Sequence, residues 1–271
     1  MTFRIKILLL SLLTIVAVVV LSLLHPIPQD PSYHQFADDR SLWHIPNFAN
    51  VVSNFLFLLV GIRGLLLLAQ AKVSAGTRLI YGALFSGILL TGLGSAYYHL
   101  HPDNNSLVYD RLPMTLVFMA LLSGTISDRI DPRLGFGLLG PLLILGASSV
   151  IWWHYTEAKG NGDLRLYVFV QYYPILLIPS ILLLFPAIPG NPATVSNPAI
   201  PGIPGIPTTK EVRLLVWAVI WYIIAKIFDL CDHSIFSLFG SVSGHTLKHI
   251  AAAIATWYLV KMFQQKYRKG Q

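Results

Sequence analysis

No ionisable side chain interrupts the chain between Ile7 and Leu24, and seven further apolar segments follow at roughly 48–70, 79–99, 112–128, 134–155, 166–186, 212–230 and 245–263. Each approaches the ~20 residues that a helix needs to cross the hydrocarbon core of a bilayer. The expected fold is an all-α membrane protein: a seven-transmembrane helix bundle preceded by an N-terminal signal-anchor helix. Composition agrees, because only 11% of residues are charged and the mean hydropathy is +0.64, where soluble domains carry about 25% charged residues.

Arg4 and Lys6 precede the first run. A cleaved signal has an apolar region of about 7–15 residues ending at a small-x-small site. This run is longer, and His25-Pro26-Ile27-Pro28 offers no such site, so residues 1–25 are expected as an uncleaved anchor. With the amino terminus cytoplasmic, twelve Lys and Arg residues collect in cytoplasmic positions, against Arg40, Arg111, Lys159 and Arg165 on the other side. That is the positive-inside pattern, and it places both termini in the cytoplasm. The net charge of +7 is thereby assigned to one-sided loops, and no nucleic-acid partner is expected. Trp152, Trp153 and Tyr155 are expected as an outer aromatic anchor. The repeated Ile-Pro-Gly units of residues 187–211 cannot propagate a helix and are expected as a cytoplasmic linker, with a basic cytoplasmic tail over 264–271.

Ionisable groups near such spans cost about 2.5–3.5 kcal/mol at mid-bilayer, so each needs a partner or a task. Two polar clusters stand out. Ser95 and His99 are four residues apart, which puts them on one helix face; Asp110 follows just before the next apolar run. His245 and His249, again four apart, open the last segment. On the topology above all five fall toward the non-cytoplasmic side. With Cys231 the single cysteine, no Cys-based site is available and a metal would be held by His, Asp or Glu.

Bland readings stand beside these. Three neutral imidazoles with an open fourth position form the usual catalytic zinc shell, but spacing alone leaves interfacial hydrogen bonding with comparable weight. That interfacial role is the reading for His25, His34, His44, His101, His154 and His233. Asp110 either caps a helix starting near Leu112 or orients and deprotonates a metal-bound water. Arg111 is expected as an interfacial anchor, and Arg63, Lys226 and Lys248 as structural partners of Asp229, Asp232 or Asp163.

At these residues the chain resembles the alkaline ceramidases, members of a wider group of seven-helix membrane hydrolases that includes the adiponectin and progestin receptor relatives. The resemblance rests on Ser95-x-x-x-His99, on Asp110-Arg111-Leu112-Pro113-Met114 and on Ser243-Gly244-His245-Thr246-Leu247-Lys248-His249. Phe48-x-Asn50-x-x-Ser53-Asn54 and Lys226-x-x-Asp229-x-x-Asp232 support it, over roughly residues 38–263. It implies a ceramidase-like seven-helix domain over 26–263, with zinc on His99, His245 and His249, a water handled by Asp110, and Ser95 close by. It also implies hydrolysis of ceramide or a related N-acyl lipid, in a bacterial inner membrane or the endoplasmic reticulum or Golgi. The acidic calcium motif of eukaryotic members is incomplete: Asn47 stands where they carry a Glu, and only Asp38 and Asp39 remain upstream, so calcium dependence is not expected. A receptor or lipid-binding protein of the same group is the alternative. A proton-relaying transporter would call for interrupted helices and inverted repeats, and a rhomboid-like protease for a nucleophile context, none of which the sequence offers.

Overall fold

Lipid offers backbone N–H and C=O groups no partner, so spanning segments must satisfy them internally as helices. The computed structural model describes residues 1–185 and 210–267, and every expected apolar segment is helical within them. The helices are α1 (Phe3–Leu23), α2 (Phe48–Ser53), α3 (Phe55–Gln70), α4 (Ala75–Leu100), α5 (Asn104–Arg129), α6 (Pro132–Ala158), α7 (Arg165–Leu184), α8 (Lys210–Leu230), α9 (Asp232–Phe239) and α10 (Gly244–Tyr267). Among the described residues, six spans are long and apolar enough to cross a membrane, with α2 and α3 counted as one. A seventh is added if the α8–α9 pair, bent by 74°, is one span. The chain is an all-α protein of the multi-pass membrane class. Most of the Ile-Pro-Gly linker and the end of the basic tail lie outside the described residues.

The chain divides into two compact units. The first contains α1, α6 and α7, with the start of α4 and the end of α5. Here α1 packs on α7 through a Thr14–Tyr173 hydroxyl pair and an edge contact between Phe3 and Phe185. Asp131 starts α6 by accepting from the backbone N–H groups of Arg133 and Leu134, both at 2.8 Å, with Pro132 in the first-turn position where its missing N–H costs nothing. Asp163, expected as a partner for Arg63, Lys226 or Lys248, pairs instead with Arg165 at 2.8 Å. Trp153 departs from the expected aromatic anchor: it is fully buried, while Trp152 and Tyr155 beside it are exposed.

The second unit contains α2, α3, the end of α4, the start of α5, and α8 to α10. Helix α10 packs against α2, α3, α8 and α9. Helix α5 begins at Asn104 because Asp103 caps it, its Oδ1 accepting from Ser106 N at 2.6 Å. Asp110 is therefore in the second turn of α5, and the capping role weighed for it belongs to Asp103. Arg111, expected at the interface, is buried at 5% exposure with its guanidinium 5.4 Å from the centre of the Tyr33 ring.

Candidate metal centre

His99 lies in the last turn of α4, and His245 and His249 in the first turns of α10. Helix spacing puts the latter two on one face. The three rings form a triangle with every centroid pair 4.9 Å apart. All three side chains are buried, and one ligand nitrogen from each lies within 4.8 Å of the others. The Nε2 atoms of His99 and His249 approach to 3.2 Å.

Each imidazole is held differently. The His249 Nδ1 is 2.8 Å from the Ser53 hydroxyl. That hydroxyl has one hydrogen, given to the Asn50 carbonyl at 3.0 Å, so it accepts when the His249 proton is on Nδ1, the nitrogen that the Asn54 amide also faces at the longer distance of 3.4 Å. The His245 Nδ1 lies 3.2 Å from Asp229 Oδ1, and a carboxylate only accepts. Both tautomers leave Nε2 with its lone pair. His99 is fixed by packing and backbone: Phe36 and Tyr98 lie at centroid distances of 4.6 and 4.9 Å, and Asn47 Nδ2 donates to the His99 carbonyl at 2.9 Å. That bond closes one of the orphan carbonyls at the end of α4. Asn47 reaches it from a left-handed backbone, φ 48°, which asparagine tolerates better than most residues.

Donor chemistry supports a metal. Three buried neutral imidazoles, two with their second nitrogen engaged by an outer partner, are the arrangement that ligating histidines require. Lys248 Nζ is 3.2 Å from His245 Nε2 but also 3.1 Å from Asp229 Oδ1, so the ammonium has an acceptor when that nitrogen is engaged elsewhere. The three histidines could hold a metal ion.

Ser95 and Asp110 are both buried, and a backbone approach next to each brings α4 and α5 together. A Cβ on Gly94 would overlap the Tyr109 carbonyl oxygen and lie 3.4 Å from Asp110 N. Pro113 has no N–H to offer that carbonyl, which leaves it facing α4. Gly94 and Pro113 thus bring α4 against α5 beside Ser95 and Asp110. Neither of these two side chains hydrogen-bonds to a histidine among the described residues.

Other charged residues resolve as follows. Lys226 lies 3.9 Å and Lys248 3.1 Å from Asp229, as the expected structural pairing allows. Arg63 forms no ion pair among the described residues. Asp232 accepts backbone N–H groups from Ala37 at 2.9 Å and His245 at 2.7 Å. His34, read as an interfacial hydrogen-bonder, bridges Tyr98 and Asn104, each at 3.0 Å. In the segment before α2, the guanidinium of Arg40 grips Asp38 with two bonds of 2.7 Å and holds its carboxyl below the ordinary carboxylate value.

Sequence reasoning missed Phe36, which lies in a polar-aromatic stretch with no period to mark it, yet its ring is 4.6 Å from both His99 and His245. Ser53 stood in a quoted motif without a role, and Asp229 was expected only as a structural partner of a cation, not as a partner of His245. Their signal was spacing from other polar residues inside apolar helices, which identifies an interior group but not its partner.

Fold and site together define a multi-pass helical membrane protein with a buried three-histidine cluster. The family model described as Ceramidase matches residues 41–268, and the chain belongs to the ceramidase family. No curated protein matches it.

Proposed function

We propose that this protein is a zinc-dependent hydrolase that cleaves the amide bond of ceramide or a related N-acyl lipid, releasing a fatty acid and a sphingoid base. The observation that carries the reading is the buried triangle of His99, His245 and His249, in a chain whose family match covers both histidine clusters. When bound by these residues, zinc supplies Lewis-acid polarisation of the amide carbonyl and a more acidic water.

The chain's own groups do the rest. Asp110 accepts a proton from the attacking water as the carbon–oxygen bond forms, and returns it to the departing amine as the carbon–nitrogen bond breaks. The Ser95 hydroxyl donates to the carbonyl oxygen as negative charge develops, a contact whose loss costs ~10²–10³ in rate in comparable sites. Burial of both groups keeps bulk water from competing for these bonds. On the distribution of Lys and Arg, the site faces the non-cytoplasmic side and both termini are cytoplasmic.

The test is fatty-acid release from a panel of ceramides and other N-acyl lipids, followed by mass spectrometry on protein purified in detergent. Release that disappears with a chelator, returns with zinc and is lost in Asp110→Asn is expected. Bound zinc with no release from any lipid would assign the chain to the receptor or lipid-binding reading.

A further inference from the structure

Lys226-x-x-Asp229-x-x-Asp232 is a motif of the sequence to which the proposed chemistry gives no task. Its residues straddle the 74° bend between α8 and α9, so that Asp229 ends one helix and Asp232 begins the next. The bend meets the start of α10 at Gly244, where a Cβ would overlap the Phe228 carbonyl and fall 2.7 Å from Asp232 Cα. Only glycine allows that approach.

The two carboxylates then take hold of one residue at two points. Asp232 Oδ1 accepts from the His245 backbone N–H at 2.7 Å, fixing where α10 begins. Asp229 Oδ1 lies 3.2 Å from His245 Nδ1, fixing the ring's rotation and leaving Nε2 unprotonated. Lys248, one turn along α10, shares Asp229 Oδ1 at 3.1 Å and balances its charge. The second oxygen of Asp232 binds Ala37 N at 2.9 Å, next to the Phe36 ring that rests on His245.

We propose that the α8–α9 elbow is the device that sets His245 for metal ligation, with Asp229 as the positioning residue for its imidazole. The proposal rests on the reading of the histidines as metal ligands. Asp229 acts on the metal site through His245: its acceptor oxygen selects the tautomer and orientation that present Nε2, the function that outer carboxylates serve for ligating histidines. Asparagine retains an acceptor oxygen at this position, and leucine does not.

The experiment is zinc affinity, measured by competition with a chromophoric chelator, for detergent-purified wild type, Asp229→Leu and Asp229→Asn. The visible spectrum of the cobalt-loaded forms reports the ligand geometry. Affinity is expected to fall by ~10–100-fold in Asp229→Leu with a changed cobalt spectrum, and Asp229→Asn is expected to restore most of both. The same pair in a Lys248→Met background removes the nearer of the two lysines that face Asp229, so the stranding of that charge does not decide the result. Wild-type affinity in Asp229→Leu, or equal losses in both variants, would overturn the positioning role. Absence of zinc binding by the wild type would instead remove the metal reading beneath it.

Discussion

Helices α1 and α10 invert the rule learned from soluble proteins. The first is the most apolar of the candidate spans, yet Leu10 is its one buried residue. The second carries His245, Lys248, His249, Lys261 and Lys266, is not among the candidate spans, and buries twelve of its 24 residues. When the solvent is lipid, apolarity marks what faces outward. Association of helices then depends on close packing and internal hydrogen bonds rather than on a hydrophobic drive. The polar helix is inside because its histidines, Thr246 and backbone find partners there: Ser53, Asp229, Asn50 and Asp232.

The sharpest way to break this comparison is to remove a partner from the inside helix. His249→Ala is expected to abolish lipid hydrolysis and to weaken zinc binding by more than the ~10–100-fold that an orienting residue costs, read by elemental analysis and product release. Ser53→Ala, which removes the acceptor of His249 Nδ1–H, is expected to fall within that ~10–100-fold range of zinc affinity, with Ser53→Thr recovering most of it. Gly94→Ala would drive α4 away from the Tyr109 carbonyl; a cost of about 1–3 kcal/mol, as for overpacked interiors, should appear as a lower thermal midpoint together with lost activity.

An acid titration probes the segment before α2. The Asp38 carboxyl, held low by the Arg40 guanidinium, stabilises the fold fully above the unfolded value of about 3.9. That contribution is lost as the pH falls through the lower folded value. Thermal stability in detergent should drop more for wild type than for Asp38→Asn across that window. At the bottom of the scale, Leu12→Ala on the exposed face of α1 is expected to shift stability by no more than about 0.5 kcal/mol. Ala253→Leu, at 2% exposure in α10, should cost about 1–3 kcal/mol.

Much of this was legible in the sequence. Span length revealed the long apolar helical segments, because a bilayer sets a minimum run of apolar residues, but not the short α9 or the break between α2 and α3. Four-residue spacing placed His245 beside His249 without any structure. The geometry that unites the clusters was not legible, because it depends on a 74° bend at Cys231 and on two glycines whose role is an absent side chain. Asp110 was misread as a possible cap because the apolar run starts after it, whereas the helix starts where Asp103 supplies the first acceptor. Trp153 was assigned to the interface because aromatic type does not say which face of α6 looks inward.

The central claim is that α10 is buried to present two metal ligands against His99. The most direct measurement is metal stoichiometry, by elemental mass spectrometry, of purified wild type and of a His245→Ala/His249→Ala variant that still elutes as a folded species. The account predicts one tightly held zinc ion per chain in the wild type and none in the variant. Zinc retained by the variant, or no metal in an otherwise folded and zinc-supplied wild type, would contradict it.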